Sequence, residues 1–458
     1  MTTATELSPL DMAFWSLESD EAPMHLGALL RFGPGGAPDP ESLVALLAER
    51  AGRSARLRQR VHVPWNPMDP PRWVEDRRFA ARQHIAVHAL AGSRPDVLER
   101  TAATLMAAPL RRELPPWEVH LLTDGPMDQG FTLLLKLHHA AVDGLRAVEL
   151  GVRLLDRLES RPQRDEDAVP AARTGPAGGR SGGLAGGLAA GLDEVTRRTL
   201  RSARVAADVA TTVVGTRVGE GWRPARTPLH TGMTGLPGDR VLALPSFSTR
   251  ELQLVRRAHG GTLHDIVLAL IAGGLRRWFL DLGWDPAQRS TRVLVPVSHR
   301  TRAGEQAEGN QLSGFLVTLP VADPDPLIRL FRVREAMAAH KEHGPLRGPG
   351  AVAMLPDLLP PGVQRFTGPL VRPGAPLLFD ALVTDIPLPG LPFTLSGAPL
   401  TALHPLAPLA QGHTVAIAAS RYRDRVHIGL HGAAEGFRDP RHLADSLTAE
   451  METLLRMS

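Results

Sequence analysis

Cysteine is absent from the 458 residues, which excludes disulfides, thiolate metal sites and a cysteine nucleophile. A chain without it fits a reducing compartment. Lysine is scarce as well: Lys136 and Lys341 are the only two in a chain whose Lys and Arg total 52. Beside a net charge of only +4, that arginine bias reads as coding composition rather than as the footprint of a partner. There is one tyrosine and no basic block interleaved with aromatics, so nucleic acid is not an expected partner. No apolar run is long enough to span a bilayer. The best, Ile266 to Leu275, reaches about half a span before Arg276 and Arg277 end it. The N-terminal MTTATELSPLDMAF has neither the positive n-region nor the apolar h-region of an export signal. The expectation is a soluble cytoplasmic protein, with peripheral contact to the inner face of a membrane or to a lipid droplet left open.

What is present is an ordinary globular balance, 43% hydrophobic and 22% charged, in a chain too long for one core. The most informative stretch is Phe131 to Leu158, FTLLLKLHHAAVDGLRAVELGVRLLDRL. Its first residues form a short apolar run interrupted by Thr132 and Lys136, as suits a strand buried on both faces. After Gly144 the period becomes helical, with Leu145, Val148, Val152 and Leu155 on one face. Asp143 stands where a short carboxylate caps free backbone N–H groups and meets the positive end of the helix dipole. His138 and His139 therefore leave a buried strand, cross a tight turn and face a helix start. Neighbouring residues in extended backbone point to opposite sides. One imidazole then fixes the fold and the other opens into a cleft. That second role, a catalytic base, falls to His139, with Asp143 capping the helix or orienting the ring.

Helices and strands alternate along the chain, which favours α/β layers. Ser8-Pro9 starts a short helix through Phe14 and Trp15. Strands are expected at His25–Phe32, Trp73–Glu75, Ile85–Ala89 and Val119–Leu122, and helices at Glu41–Arg50 and Pro95–Ala108. Residues 1–160 form a first domain. Residues 161–191, rich in Gly, Pro and charge, read as a flexible linker. There, Gly179-Arg180-Ser181-Gly182-Gly183 matches a G-x-S-x-G elbow in letters but lacks the flanking strand and helix. The stretch 192–238 supplies a linking helix and crossover, with arginines along one side of residues 192–218; the helix either bridges the domains or rests on an anionic membrane. Residues 239–458 form a second domain, with helices at Thr249–Ala258, Leu263–Leu280, Pro324–Ala339 and His442–Leu455. Its strands are expected at Val293–Val297, Phe315–Leu319, Leu377–Thr384, Val415–Ala419 and Val426–Leu430. A metal at His139 and Asp143 lacks the further ligands a catalytic ion needs, and His84 and His88 read as structural.

Several runs, in order, resemble the bacterial wax ester synthase/diacylglycerol acyltransferase family: Trp73, His84, APLRRELPPWEVHLL, KLHHAAVDG, HDIVLALIAGGLRRWF from His264, GNQLSGFLVTLP from Gly309, and VTDIPLPG from Val383. HHxxxDG alone is shared with the wider CoA-dependent acyltransferase superfamily and with condensation domains; the ordered set is more specific. The resemblance implies two chloramphenicol-acetyltransferase-like domains with an active-site tunnel between them. It also implies transfer of a fatty acyl group from acyl-CoA, a co-substrate rather than a bound cofactor, to a diacylglycerol or long-chain alcohol. Carried over by position, His139 matches the general base, His138 its non-catalytic partner, and Asp143 and Gly144 the structural end of the motif. Pro115, Pro116 and Trp117 occupy the family's Pro-Leu-Trp position, here with Pro for Leu. His264 and Asp265 occupy its Asn-Asp position, and they and Asn310 are expected at the substrate pocket. His264 for Asn, Asp385 for Asn and Leu388 for Gly depart from the family pattern in the half that shapes the acceptor pocket. Two other readings compete: a superfamily acyltransferase of specialised metabolism, with a different hydroxylated acceptor or a carrier-protein donor, and a non-catalytic lipid-binding homologue.

Overall fold

The computed structural model describes residues 4–36, 39–66, 69–92, 94–157, 228–230, 239–288, 290–298, 312–343 and 379–458. The linker at 161–191, its G-x-S-x-G match, the 192–218 helix and Asn310 lie outside the described residues. Among the described residues no single helix is long and apolar enough to cross a membrane.

Residues of the first half build β1 (Thr5–Glu6), α1 (Pro9–Leu17), β2 (His25–Phe32), α2 (Pro40–Gly52), β3 (Gln59–His62), β4 (Arg72–Glu75), β5 (Ile85–Ala89), α3 (Pro95–Ala107), β6 (Trp117–Thr123), β7 (Phe131–His138), α4 (Gly144–Leu154) and β8 (Asp156–Arg157). The second half builds β9 (Arg240–Ala243), β10 (Ser246–Ser248), α5 (Thr249–His259), α6 (Leu263–Asp281), β11 (Thr291–Ser298), β12 (Leu312–Leu319), α7 (Pro326–His343), β13 (Ala381–Pro387), β14 (Phe393–Leu395), β15 (Ala398–Leu406), β16 (Val415–Tyr422), β17 (Arg425–Ala433) and α8 (Pro440–Arg456).

Helix starts follow the local chemistry. Ser8 and Asp11 form a reciprocal capping box ahead of α1, with Pro9 at the first helical position. Asp39 caps α2 by accepting from the Glu41 and Ser42 N–H groups, and Asp143 caps α4 by accepting from that of Arg146. β6 begins two residues before the expected Val119, because the buried Trp117 already pairs with Leu137.

Two mixed seven-stranded sheets result, with a small three-stranded one beside the first. The first sheet runs β5-β6-β7-β2-β15-β14-β8, and the second runs β10-β17-β16-β13-β11-β12 with β9 also on β17. β7 is central in the first sheet and buried on both faces apart from Leu137. Each sheet has its own apolar core, one around Leu30, Leu121 and Leu133, the other around Ile266, Leu270 and Leu275.

The stretch 239–458 does not keep its strands to one sheet. β15 leaves the second half and pairs antiparallel with β2, from Leu400 opposite Phe32 to Leu406 opposite Gly27. No strand is expected there from sequence, since Pro399 and Pro405 demote the run. The structure accommodates them at a sheet position with a bulge between Leu400 and Ala402. β15 is also stitched to the second sheet: Ser420 Oγ donates to the Leu403 carbonyl at 2.7 Å, and His431 Nδ1 lies 2.8 Å from the Ala407 carbonyl. One strand thus belongs to the first sheet by its backbone and to the second by side chains.

β15 and Gly429 of β17 approach closely along this seam. A Cβ on Gly429 would lie 1.9 Å from the Pro405 carbonyl oxygen, so no side chain fits unless the halves part. Gly429→Ala is therefore expected to lower stability by about 1–3 kcal/mol, the usual cost of overpacking a close contact. Urea unfolding checks this; an unchanged midpoint would show that the halves do not meet there.

Candidate active site

His138 is the last residue of β7, paired with His25 of β2. Its backbone N–H donates to the Pro116 carbonyl at 3.0 Å, and that of His139 donates to the Met24 carbonyl at 2.8 Å. The chain then turns, with Ala141 N–H returning to the His138 carbonyl at 2.9 Å. The His138 ring holds this turn from inside. Its Nδ1 accepts from the Ala140 N–H at 2.9 Å, which leaves the ring proton on Nε2. Nε2 faces Glu18 Oε1 at 3.3 Å, and His25 Nε2 faces the same oxygen at 3.4 Å. Arg112 grips the other Glu18 oxygen at 2.8 Å. Burial alone would raise the Glu18 carboxyl, but the imidazoles of His138 and His25 overrule it and hold the group well below the usual carboxylate range.

His139 points the other way. Its ring stacks on Phe14 of α1, with centroids 3.8 Å apart and 21° between planes, and lines a cavity. The side chain is buried, and burial pushes the imidazole down to about 4; the neighbouring His138 adds to this and Asp143 opposes it. At neutral pH the ring is therefore uncharged and holds a lone pair.

Asp143 Oδ1 accepts from the Arg146 N–H at 2.8 Å and so caps α4. Gly144 follows at the cavity wall, where a Cβ would meet nothing within 4 Å and would protrude into the open space. Pro116 and Trp117 support the turn from behind. The Pro116 carbonyl receives His138, while the Trp117 indole donates to the Leu57 carbonyl at 2.8 Å and stacks on His84. His84 Nδ1 lies 2.9 Å from the Trp117 carbonyl, and His88 meets His120 at 3.1 Å.

The cavity measures about 830 Å³ and draws its walls from both halves. Leu26, Leu30, Leu135, Leu145 and Val148 come from the first; Val295, Phe315, Leu382, Leu403 and Leu406 come from the second. Polar side chains on the wall are few: His139, Thr262, His264, Thr384, Asp385 and Tyr422. An apolar cavity of this size with a small set of convergent polar groups is the usual form of a site for a small organic ligand.

Comparison with known proteins agrees with this architecture. The description of the wax ester synthase/diacylglycerol acyltransferase catalytic domain matches residues 7–267, and that of the family's C-terminal domain matches residues 308–455. The chain belongs to this family. It is an acyltransferase.

A Mycobacterium tuberculosis protein named probable diacylglycerol O-acyltransferase tgs1 is 28% identical over 99% of this chain and 96% of its own length. A second from the same species, named tgs2, is 26% identical over 98% of each. The fold is shared with the wax ester synthase/diacylglycerol acyltransferase of Marinobacter aquaeolei VT8, at a TM-score of 0.68 and 24% identity over 98% of both chains. It is shared more loosely with the first condensation domain of the CDA synthetase, at a TM-score of 0.56 and 18% identity over 99% and 95%. The expected two-domain α/β fold, related to that of condensation domains, is the one found.

Around the cavity the sequence-expected residues part company. His139, Gly144 and His264 reach the cavity wall. His138, Asp143, Pro116 and Trp117 stand behind it as supports. Asp265 turns back instead: its carboxylate accepts from the Thr262 N–H at 2.8 Å and its own N–H donates to Thr262 Oγ1, a capping box at the start of α6. Residues next to one another on a helix point about 100° apart, so His264 and Asp265 do not face one pocket. Glu18, Phe14 and the pairing of His264 with Asp385 were not expected as parts of the site. Their partners are far along the chain, and no local pattern marks them. Among the described residues no three His, Cys, Asp or Glu side chains come together in a way that could hold a metal ion.

The link from Glu18 through His138 to the Ala140 N–H suggests that the carboxylate sets the position of His139 without touching substrate. Misplacing a reacting group by an ångström costs up to about 10²-fold in rate. Glu18→Ala is expected to lower kcat roughly tenfold to a hundredfold with KM little changed, while Glu18→Gln, which keeps an acceptor towards His138, retains most of it. Steady-state kinetics on the folded variants checks this; an unchanged kcat in Glu18→Ala would show that the carboxylate only fills space.

Proposed function

We propose that the protein moves a fatty acyl group from acyl-CoA to the hydroxyl of a diacylglycerol or long-chain alcohol, giving triacylglycerol or wax ester, with His139 as general base. The observation that carries this reading is the uncharged His139 imidazole on the wall of an 830 Å³ apolar cavity shared by both halves. The names of the mycobacterial relatives support the diacylglycerol acceptor, and the name of the family adds wax ester formation.

An alcohol is a poor nucleophile at neutral pH. As its oxygen bonds to the thioester carbonyl carbon, the cavity-facing nitrogen of His139 takes the hydroxyl proton. A positioned base of this kind contributes roughly 10²–10⁴ in rate. The tetrahedral intermediate then collapses, the C–S bond breaks, and the imidazolium returns its proton to the departing sulfur. The products are an ester and free CoA thiol, and the ring ends as it began. A thiol with a pKa near 8.5, by analogy with cysteine, is a good leaving group and needs little acid assistance. No acyl-enzyme is required, in keeping with a chain that has no cysteine.

The apolar wall suits long chains. Each methylene taken out of water is worth about 0.8 kcal/mol, so a sixteen-carbon chain brings on the order of 10 kcal/mol of gross binding energy before ordering costs. Small polar acceptors forgo this, which is why a lipid acceptor fits better than a soluble metabolite.

His139→Ala is expected to lower turnover by about 10²–10⁴ and to leave thermal unfolding close to that of the parent, since the ring faces a cavity rather than filling a core. Release of free CoA thiol on mixing purified protein with palmitoyl-CoA and either hexadecanol or diolein measures it. Turnover retained by His139→Ala would end the assignment of the base. Turnover only with a different hydroxylated acceptor would reassign the substrate.

A further inference from the structure

The cavity runs along α4. Gly144, Val148, Gly151 and, just past the helix end, Leu155 share one side of the helix, and all four line the space. The facing wall is β7 with β2. Leu135 and Leu137 alternate onto the same side as His139, with Ala28 and Leu26 paired beside them. One arm of the cavity thus lies between helix and sheet and leads from the base to Leu155. Leu155, Phe393 and Tyr422, all buried, shut its far end, where the Tyr422 hydroxyl accepts from the Phe393 N–H at 3.0 Å.

Gly151 sits two turns inside α4 and is buried. Glycine is the poorest helix former after proline, so a glycine in a helix interior calls for a physical reason. In α6 that reason is close packing: a Cβ on Gly273 or Gly274 would strike Glu450 or Leu447. Gly151 is different. Among the described residues a Cβ there would meet one heavy atom within 4 Å, Leu135 Cδ1, at an ordinary contact distance of 3.5 Å. A larger side chain at 151 would take up the open space of the arm.

Helix and strand both measure how far this point lies from the base. From Gly144 to Gly151 the helix rises about 10 Å, and from His139 back to Leu135 the strand covers about 13 Å. An extended carbon chain advances about 1.2 Å per bond, since three backbone bonds span about 3.6 Å. A chain whose reacting carbon lies at His139 therefore passes Gly151 about eight to eleven bonds out. The seven carbon–carbon bonds of an octanoyl group stop short of it. The fifteen of a palmitoyl group carry on towards the Leu155 wall, which is about 16 Å from Gly144.

We propose that Gly151 keeps open the channel for the donor's acyl chain and so sets a preference for acyl groups longer than about ten carbons. This rests on the reading of the cavity as the site of acyl transfer. The arm suits the donor because it is closed at its end and bounded by one helix and one pair of strands. Whichever acceptor is used, the acyl group is a single unbranched chain from the reacting carbon onward. The two tails of a diacylglycerol instead diverge beside its hydroxyl. Each methylene housed beyond Gly151 adds about fourfold in affinity.

Calorimetric titration of the full-length protein with palmitoyl-CoA and with octanoyl-CoA, in the absence of acceptor, tests this. Palmitoyl-CoA is expected to bind the parent at least about a hundredfold more tightly. In Gly151→Leu, whose side chain suits a helix and fills the arm, that ratio is expected to fall by about tenfold to a hundredfold. Octanoyl-CoA affinity stays within about twofold of the parent, which shows that the rest of the variant cavity is intact. Gly151→Met, unbranched and flexible, is read in the same way should the leucine variant not fold. A ratio unmoved in the folded variants, or equal losses for both thioesters, would overturn the proposal. A changed preference between octanol and hexadecanol at fixed octanoyl-CoA would give the arm to the acceptor and overturn it too. Thiol release reads the reaction separately. Chain-dependent binding that responds to Gly151, without thiol release with any acceptor, would leave the channel standing and remove the acyltransfer assignment of the cavity.

Discussion

The proposed chemistry depends on the desolvation of the His139 ring. A solvated imidazole is part protonated near neutral pH, and its lone pair is shared with water. Sealed between Phe14 and an apolar cavity, this one is uncharged, and its direction is fixed by backbone hydrogen bonds on both sides of the turn. The cost is a weaker base, because lowering the pKa lowers the thermodynamic pull on the hydroxyl proton. The compensation is availability: nearly every molecule carries the ring in its reactive form. His138, the neighbouring residue, has the opposite environment, turned to a buried carboxylate and a backbone amide. Two chemically identical side chains thus meet opposite environments, because His138 ends the strand and His139 opens the turn.

The cavity itself is a consequence of strand β15. Two sheets with separate cores could move apart, and a site between them would then vary with every excursion. Here the second half contributes a strand to the first sheet, and Gly429 lets the two backbones approach to a distance no side chain would allow. The same strand places Leu400, Leu403, Pro405 and Leu406 on the cavity wall. Seam and cavity are one piece of structure, so the spacing between His139 and the walls contributed by the second half is set by sheet hydrogen bonds.

The strand, turn and helix around HHAAVDG were legible because each signal is local: a buried run, small turn residues, a capping carboxylate and a change of period. β7 and α4 lie where those signals put them. The same holds for α1, α3, α6 and α8, whose apolar period and start signals are strong. What could not be read depends on partners distant in sequence. β14 and β15 join a sheet made by the other half, and two prolines disguise β15 as a loop. Glu18 ends a helix and looks like any surface acid, although it lies against two buried histidines. Asp265 was grouped with His264 through the family's Asn-Asp position, yet it serves a capping box, while the partner of His264 comes from a strand 121 residues away.

The central claim, an uncharged buried imidazole acting as base, is tested most directly by kcat/KM against pH, whose acid limb reports the free enzyme's base. A group whose pKa is depressed to about 4 stays in its basic form above that pH and is lost only as pH falls through it. Buried His25, His404, His413, His427 and His431 are likewise pushed down, to between about 3 and about 4, and must charge on unfolding, so the fold weakens below the ordinary histidine range near 6.5 and the profile is taken only where circular dichroism shows it intact. Within that window, from about pH 8 to about pH 5.5, the account predicts a flat kcat/KM. A fall to roughly one tenth by about pH 5.5, as an imidazole of ordinary pKa near 6.5 would give, would contradict it.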